Sequence, residues 1–215
     1  MATEIFELDL SDCAPAVLRL EPFISPERRA RAARARRESD RLLQLGTELC
    51  VAVAQGVPLP LSLCYEEGGR PFLPGHRPMS LSHSGTRVVC ALSQQAVGVD
   101  LEQISRMRPS VAGRYLSPEE QAATAPLQGA ALQQALCRLW TRKEAYLKYT
   151  GEGLRRDPRS ICVLSQTPAA QPPAVLTTLP PQQGFLISLA TAHPDSIRRH
   201  SISVEDLLQL LDLKG

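Results

Sequence analysis

The stretch LWTRKEAYLKYTG, residues 139–151, ends a helix expected over 129–149, and its periodicity constrains the fold more than any other stretch of the chain. At about 100° of turn per residue, Leu132, Leu136, Leu139, Trp140 and Leu147 share one stripe, as in a helix packed on a core. Gly151 supplies the stop. Lys143, however, lands in the middle of the apolar stripe, and Glu144 and Lys148 run along its edge. An exposed i, i+4 ion pair would account for Glu144 and Lys148. It would not account for Lys143, because burying an unpaired ammonium costs several kcal/mol unless the chain snorkels to water. The alternative is that the stripe is partly the wall of a site that takes a charged ligand, such as a phosphate with a metal.

Around this helix the pattern is α+β, because strand-like and helix-like runs both occur without strict alternation. Residues 3–10 read as a strand. Ser25-Pro26-Glu27 starts a helix over 26–44 that carries Arg28, Arg29, Arg31, Arg34, Arg36, Arg37 and Arg41. A second apolar helix follows over 45–55, then a strand, LSLCYE (61–66), and a turn, EGGRP. MSLSH, RVVCALS and AVGVDLE are separated by turn signals and predict an antiparallel meander. Ser117-Pro118-Glu119-Glu120 starts a short helix ahead of the long one. RSICVLS reads as a strand, the segment 166–183 with its five prolines as a loop or hairpin connection, GFLISLAT as a strand and SVEDLLQLLDL as a terminal helix.

Whole-chain properties narrow the function classes. The 215 residues suit one large domain or two small ones, and a net charge of +2 gives no reason to expect a polyanion partner. The opening MATEIFELDL lacks the basic and apolar regions of a signal peptide, and no apolar segment approaches the ~20 residues of a membrane span. Six cysteines without a C-x-x-C pair read as reduced thiols of a cytoplasmic protein rather than a zinc or disulfide framework.

Three groups of residues carry possible chemistry. In GVDLE, strand alternation puts Val97, Val99 and Leu101 on one face and Gly98, Asp100 and Glu102 on the other. The two carboxylates then stand about 6–7 Å apart, a spacing at which a cation between them relieves their repulsion. Mg²⁺ suits such a pair because it completes its shell with water and phosphate, and Gly98 leaves room beside the strand. Two surface acids on a solvated strand is the plainer alternative. The arginine helix fits a solvated face, a phosphate ligand or a nucleic acid. In SLSHSG, Ser82 and His83 sit beside a tight turn on opposite strand faces, so they are not a catalytic dyad.

Taken in order, GRP (69–71), SLSHS (80–84), GVDLE (98–102) and LWTRKEAYLK (139–148) resemble the 4′-phosphopantetheinyl transferase superfamily. The W-x-x-K-E-A-x-x-K form and the opening FISPERR resemble its Sfp-type branch. That resemblance implies two similar subdomains, each a helix on a small antiparallel sheet, related by a pseudo-twofold and divided at 1–103 and 104–215. It also implies a monomer that transfers the phosphopantetheine arm of coenzyme A to a serine of an apo acyl or peptidyl carrier protein. Adenosine 3′,5′-bisphosphate would leave, with Mg²⁺ or Mn²⁺ required.

By the same resemblance, Asp100, Glu102 and Glu144 would hold the metal, and Glu144, Lys143 and Lys148 would be catalytic. Arg28, Arg31, Arg41, Arg70, Ser82, His83, Lys143 and Lys148 would contact coenzyme A. Arg70 stands where the family usually has Lys. Neither a membrane nor a nucleic acid is expected as a partner. Two other classes stay open at this point: a metal-dependent hydrolase of coenzyme A or nucleotide phosphates, and a nucleic-acid-binding module led by the arginine helix.

Overall fold

The structure, a computed structural model, describes residues 2–214. The N-terminal run forms β1 (Ala2–Asp9), with Thr3, Ile5 and Leu8 buried. Asp9 then accepts the Ser11 amide at 3.0 Å and caps α1 (Leu10–Leu20). The sequence signals do not announce α1, because Pro15 lies inside it and reads as a breaker.

The arginine-rich segment is not one helix over 26–44. It divides into α2 (Pro26–Ala33) and α3 (Glu38–Gln55). Arg34, Arg36 and Arg37 crowd like charges at the junction, while Glu38 and Asp40 suit the positive start of a new helix. The strand expected over 61–66 shrinks to β2 (Cys64–Tyr65), paired with β3 (Pro71–Phe72) in a short ribbon. After it come β4 (Met79–Ser84), β5 (Arg87–Leu92), β6 (Val97–Gln103), α4 (Pro118–Thr124) and α5 (Gly129–Thr150). The chain closes with β7 (Val175–Thr178), β8 (Phe185–Thr191), β9 (Ser196–Ser201) and α6 (Val204–Gln209).

The fold is α+β and built on two sheets, with strand orders β4-β5-β1-β9 and β6-β8-β7. The meander ends early: β4 and β5 pair, but β6 crosses to the second sheet, where Asp100 faces Ser188 and Glu102 faces Leu186. The sheets therefore divide the chain differently from a cut at residue 103. β6 belongs with the later strands, and β9 returns to lie parallel to β1, so the first sheet is mixed rather than wholly antiparallel. Val97, Val99 and Leu101 share a buried cluster with Ile5, Val89 and Ala91 of the first sheet. The opposite face of the first sheet packs Val88, Cys90 and Leu92 against residues of α1, α3 and α6. α5 covers the other face of the second sheet.

RSICVLS forms no strand, because its polar backbone is spoken for by side chains. Arg142 donates to the Leu164 and Ser165 carbonyls at 3.2 and 2.5 Å, and the Val163 amide donates to Glu120 at 2.8 Å. All six cysteines are free thiols; Cys13, Cys50, Cys90 and Cys137 are buried, but Cys64 is exposed. Among the described residues no helix is long and apolar enough to cross a membrane.

Candidate active site

Gly98 brings the site's two main elements together. A Cβ there would lie 1.9 Å from the Ala145 carbonyl oxygen of α5. The glycine thus makes room for the helix rather than for a ligand, and β6 and α5 meet backbone to backbone. This contact lays Glu144 and Lys148 over the Asp100 side of β6. Lys148 Nζ donates to the Val99 carbonyl at 3.0 Å and to Asp100 Oδ1 at 2.7 Å. Ser82 Oγ donates to the same Asp100 oxygen at 2.7 Å. Asp100 is 4 % exposed, and its Oδ2 has no hydrogen-bond partner; nor has Glu144 Oε1.

The three carboxylates perturb one another. Burial, then the Asp100 charge, raises Glu144 to about 7, with Lys148 opposing and Glu102 adding to the rise. Burial also pushes Glu102 up, with the Ser84 hydroxyl as the main opposing contact and Asp100 adding to the rise. Two buried, unpartnered carboxylate oxygens and an acid titrating near neutrality mark this as a site rather than a packed core. Among the described residues, no three His, Cys, Asp or Glu side chains stand at metal-ligating positions as they are.

A cleft of about 340 Å³ opens here, lined by Asp100, Glu102, Lys148, Arg28, Arg31 and His83. Arg28 is buried, and Arg28 and Arg31 each donate to the Tyr65 hydroxyl at 3.4 Å. Arg31 also lies 5.4 Å from the centre of the Tyr65 ring. Burial, then the neighbouring Lys148, lowers the His83 pKa from its ordinary value.

The structure thus gathers Arg28, Arg31, Ser82, His83, Asp100, Glu102, Glu144 and Lys148. Three expected residues are engaged elsewhere. Lys143 is fully buried and pairs with Glu120 at 2.8 Å, while donating to the carbonyls of Pro158 and Ile161. Its place on the apolar stripe is therefore explained by a buried anion and two backbone oxygens, not by a ligand. Arg70 donates to the Lys148 and Tyr149 carbonyls and closes the C-terminal end of α5, where a cation complements the helix dipole. Arg41 bonds Glu21 and does not line the cleft.

Sequence reasoning missed Tyr65, Ser84 and Glu120. Tyr65 left no signal. Ser84 belongs to the alternation S-L-S-H-S, which pointed to it unread. Glu120 was visible only as part of a helix start, because its capping bond with the Ser117 amide hid its second use.

Comparison with known proteins gives the family. The family model of the 4′-phosphopantetheinyl transferase superfamily matches residues 96–204, which include Asp100, Glu102, Glu144 and Lys148. The chain is 31% identical over 161 residues to the 4′-phosphopantetheinyl transferase psf-1 of Bacillus pumilus, covering 71% of this chain and 69% of that one. It is 26% identical over 192 residues to the 4′-phosphopantetheinyl transferase Sfp of Bacillus subtilis, covering 82% and 86%. With HetI, a 4′-phosphopantetheinyl transferase of Nostoc, it shares 35% identity over 128 residues, 54% of this chain and 51% of the relative. The chain belongs to the 4′-phosphopantetheinyl transferase superfamily, in its Sfp-type branch.

Proposed function

We propose that this protein transfers the 4′-phosphopantetheine moiety of coenzyme A to a serine of an apo acyl or peptidyl carrier protein, releasing adenosine 3′,5′-bisphosphate with a divalent cation, Mg²⁺ or Mn²⁺. One observation carries the reading. Asp100 and Glu144 present unpartnered buried oxygens beside Glu102, and the cleft lined by Asp100 and Glu102 is also lined by Arg28, Arg31 and Lys148. An anionic substrate and a cation together satisfy that arrangement; neither does so alone.

The donor set fits a hard divalent cation, which takes carboxylate oxygens and keeps the rest of its shell for water and phosphate. Asp100, Glu102 and Glu144 would hold it. When bound, such an ion neutralises charge on the phosphoryl group under attack. Of the three acids, Glu144 is the one assigned to take up the carrier serine's proton, directly or through a water. Lys148, whose ammonium bonds Asp100 on the cleft wall, would offset charge on the departing bisphosphate. Arg28 and Arg31 suit the remaining phosphates, because guanidinium groups bind phosphate oxygens in pairs.

The carrier's approach has a matching surface. Arg106, Arg108 and Arg114 rim a mostly apolar cleft of about 430 Å³ lined by Met107, Val111 and Trp140. Carrier proteins of this class are acidic, and a basic rim around an apolar floor complements them. The nucleic-acid alternative is weakened by the break between α2 and α3 and by the inward turn of Arg28, which leave no continuous basic helix face.

The test is intact-mass spectrometry of an apo carrier protein incubated with this protein, coenzyme A and Mg²⁺. The expected result is a gain of one phosphopantetheine arm, abolished by EDTA. Loss of phosphate from coenzyme A without any gain on the carrier would favour a hydrolase instead.

A further inference from the structure

β4 and β6 lie side by side, yet β4 pairs by backbone with β5, and β6 with β8. Side chains cross the seam between them. Ser80 Oγ accepts the Val99 amide at 3.0 Å. Ser82 Oγ donates to Asp100 Oδ1 at 2.7 Å. Ser84 Oγ donates to Glu102 Oε2 at 2.6 Å and accepts the Gln103 amide at 3.2 Å. The period of two along a strand turns all three hydroxyls the same way, and they are 4 %, 9 % and 4 % exposed. Alternating serines thus do between the sheets what a backbone ladder does within one.

The third of these bonds has a direction. A serine hydroxyl has one proton, and the Gln103 amide occupies an acceptor position on Ser84 Oγ. The proton is left to point at Glu102. Glu102 needs such a tether: its side chain is long, Asp100 repels it from two residues away, and water beyond the cleft competes for it.

We propose that Ser84 is a positioning residue that orders the Glu102 carboxylate for the divalent cation, and that Ser80, the equivalent hydroxyl four residues earlier, only holds the strands together. The inference rests on the reading that Asp100, Glu102 and Glu144 take that cation. Groups that orient metal ligands from behind change metal affinity about 10–100-fold when removed.

The experiment measures Mn²⁺ affinity by electron paramagnetic resonance on coenzyme-A-saturated protein, alongside Tm, for wild type, Ser84→Ala, Ser84→Thr and Ser80→Ala. Ser84→Ala should weaken Mn²⁺ by about tenfold or more. Ser80→Ala should lower Tm comparably but leave Mn²⁺ affinity near that of wild type. Ser84→Thr keeps the hydroxyl on a strand-compatible side chain and should restore affinity. Equal weakening in the two alanine variants would reduce the serines to structural stitching and overturn the proposal. So would wild-type affinity in Ser84→Ala, and if that wild type modifies a carrier, the transferase reading survives. A wild type that neither binds Mn²⁺ nor modifies a carrier overturns both.

Discussion

α5 carries two lysines five residues apart, and each forms a buried or half-buried ion pair, but the two pairs do opposite things. Lys143 and Glu120 are both fully buried, and their bonding is saturated. Glu120 accepts the Ser117 and Val163 amides as well, and Lys143 also donates to two carbonyls. The side chains of Lys148 and Asp100 stand 29 % and 6 % exposed and leave an Asp100 oxygen with no partner. The first pair ties α4 and α5 to the strandless segment 158–163. The second faces a cleft beside two more acids. A saturated buried pair secures a fold; an unsaturated one beside like charges has room for a ligand. The difference teaches that a charge on an apolar helix stripe is not by itself a sign of chemistry.

The largest effect that would sharpen this contrast is at Glu144. Glu144→Gln should cut transfer to a carrier by about 10²–10⁴-fold, the usual worth of a positioned acid or base. Stability should respond the other way. Glu144 rises from 4.5 to about 7 on folding, chiefly through burial and then through Asp100. The folded chain therefore keeps a proton that the unfolded chain releases, so metal-free stability is highest below the lower value and falls as pH rises to about 7. Glu144→Gln removes that fall. Thermal melts of both metal-free proteins between about pH 5 and pH 8 would measure it. A wild type with no decline relative to the variant would place Glu144 outside a buried acidic cluster.

Next in size is the saturated pair. Lys143→Met leaves Glu120 buried without its cation, which costs about 3–5 kcal/mol. In a chain of this length that lowers Tm by about 10 °C. Replacing both partners, Lys143→Met with Glu120→Gln, should recover most of the loss, because no charge is left stranded. Activity per folded molecule should persist in both. If Lys143→Met instead keeps its Tm and loses transfer, the two lysines act alike and the contrast fails.

These tests follow the line between what the sequence made legible and what it did not. The carboxylates of GVDLE and the helix bearing Glu144 and Lys148 were legible because periodicity and motif order place residues on faces. β6 crossing to the second sheet was not, since a local turn signal after β5 says nothing about which strand is the next partner. Lys143 was misassigned for a similar reason. Its partner Glu120 lies a helix away, and burial of an ion pair depends on tertiary contacts that spacing cannot report. Gly98 was read as leaving room for a ligand beside the strand, but the packing gives that room to the backbone of α5.

The smallest expected effect divides the arginines, which the sequence treated as one group. Arg31 lines the cleft, and Arg41 is held by Glu21 outside it. A hydrogen bond to a charged group is worth about 1.5–3 kcal/mol, so Arg31→Ala should weaken coenzyme A binding by about tenfold or more. If its partner is the 3′-phosphate, dephospho-coenzyme A should bind the variant and the wild type almost equally. Arg41→Ala breaks only a half-exposed ion pair, which contributes at most about 1 kcal/mol to stability, and should leave both affinities unchanged. Calorimetric titration of the two ligands into the two variants separates these outcomes. Equal losses in Arg31→Ala and Arg41→Ala would mean that the Glu21 pair opens when the ligand arrives. The arginine segment would then act as one unit despite the break between α2 and α3, and the division drawn from the unliganded cleft would have to be redrawn.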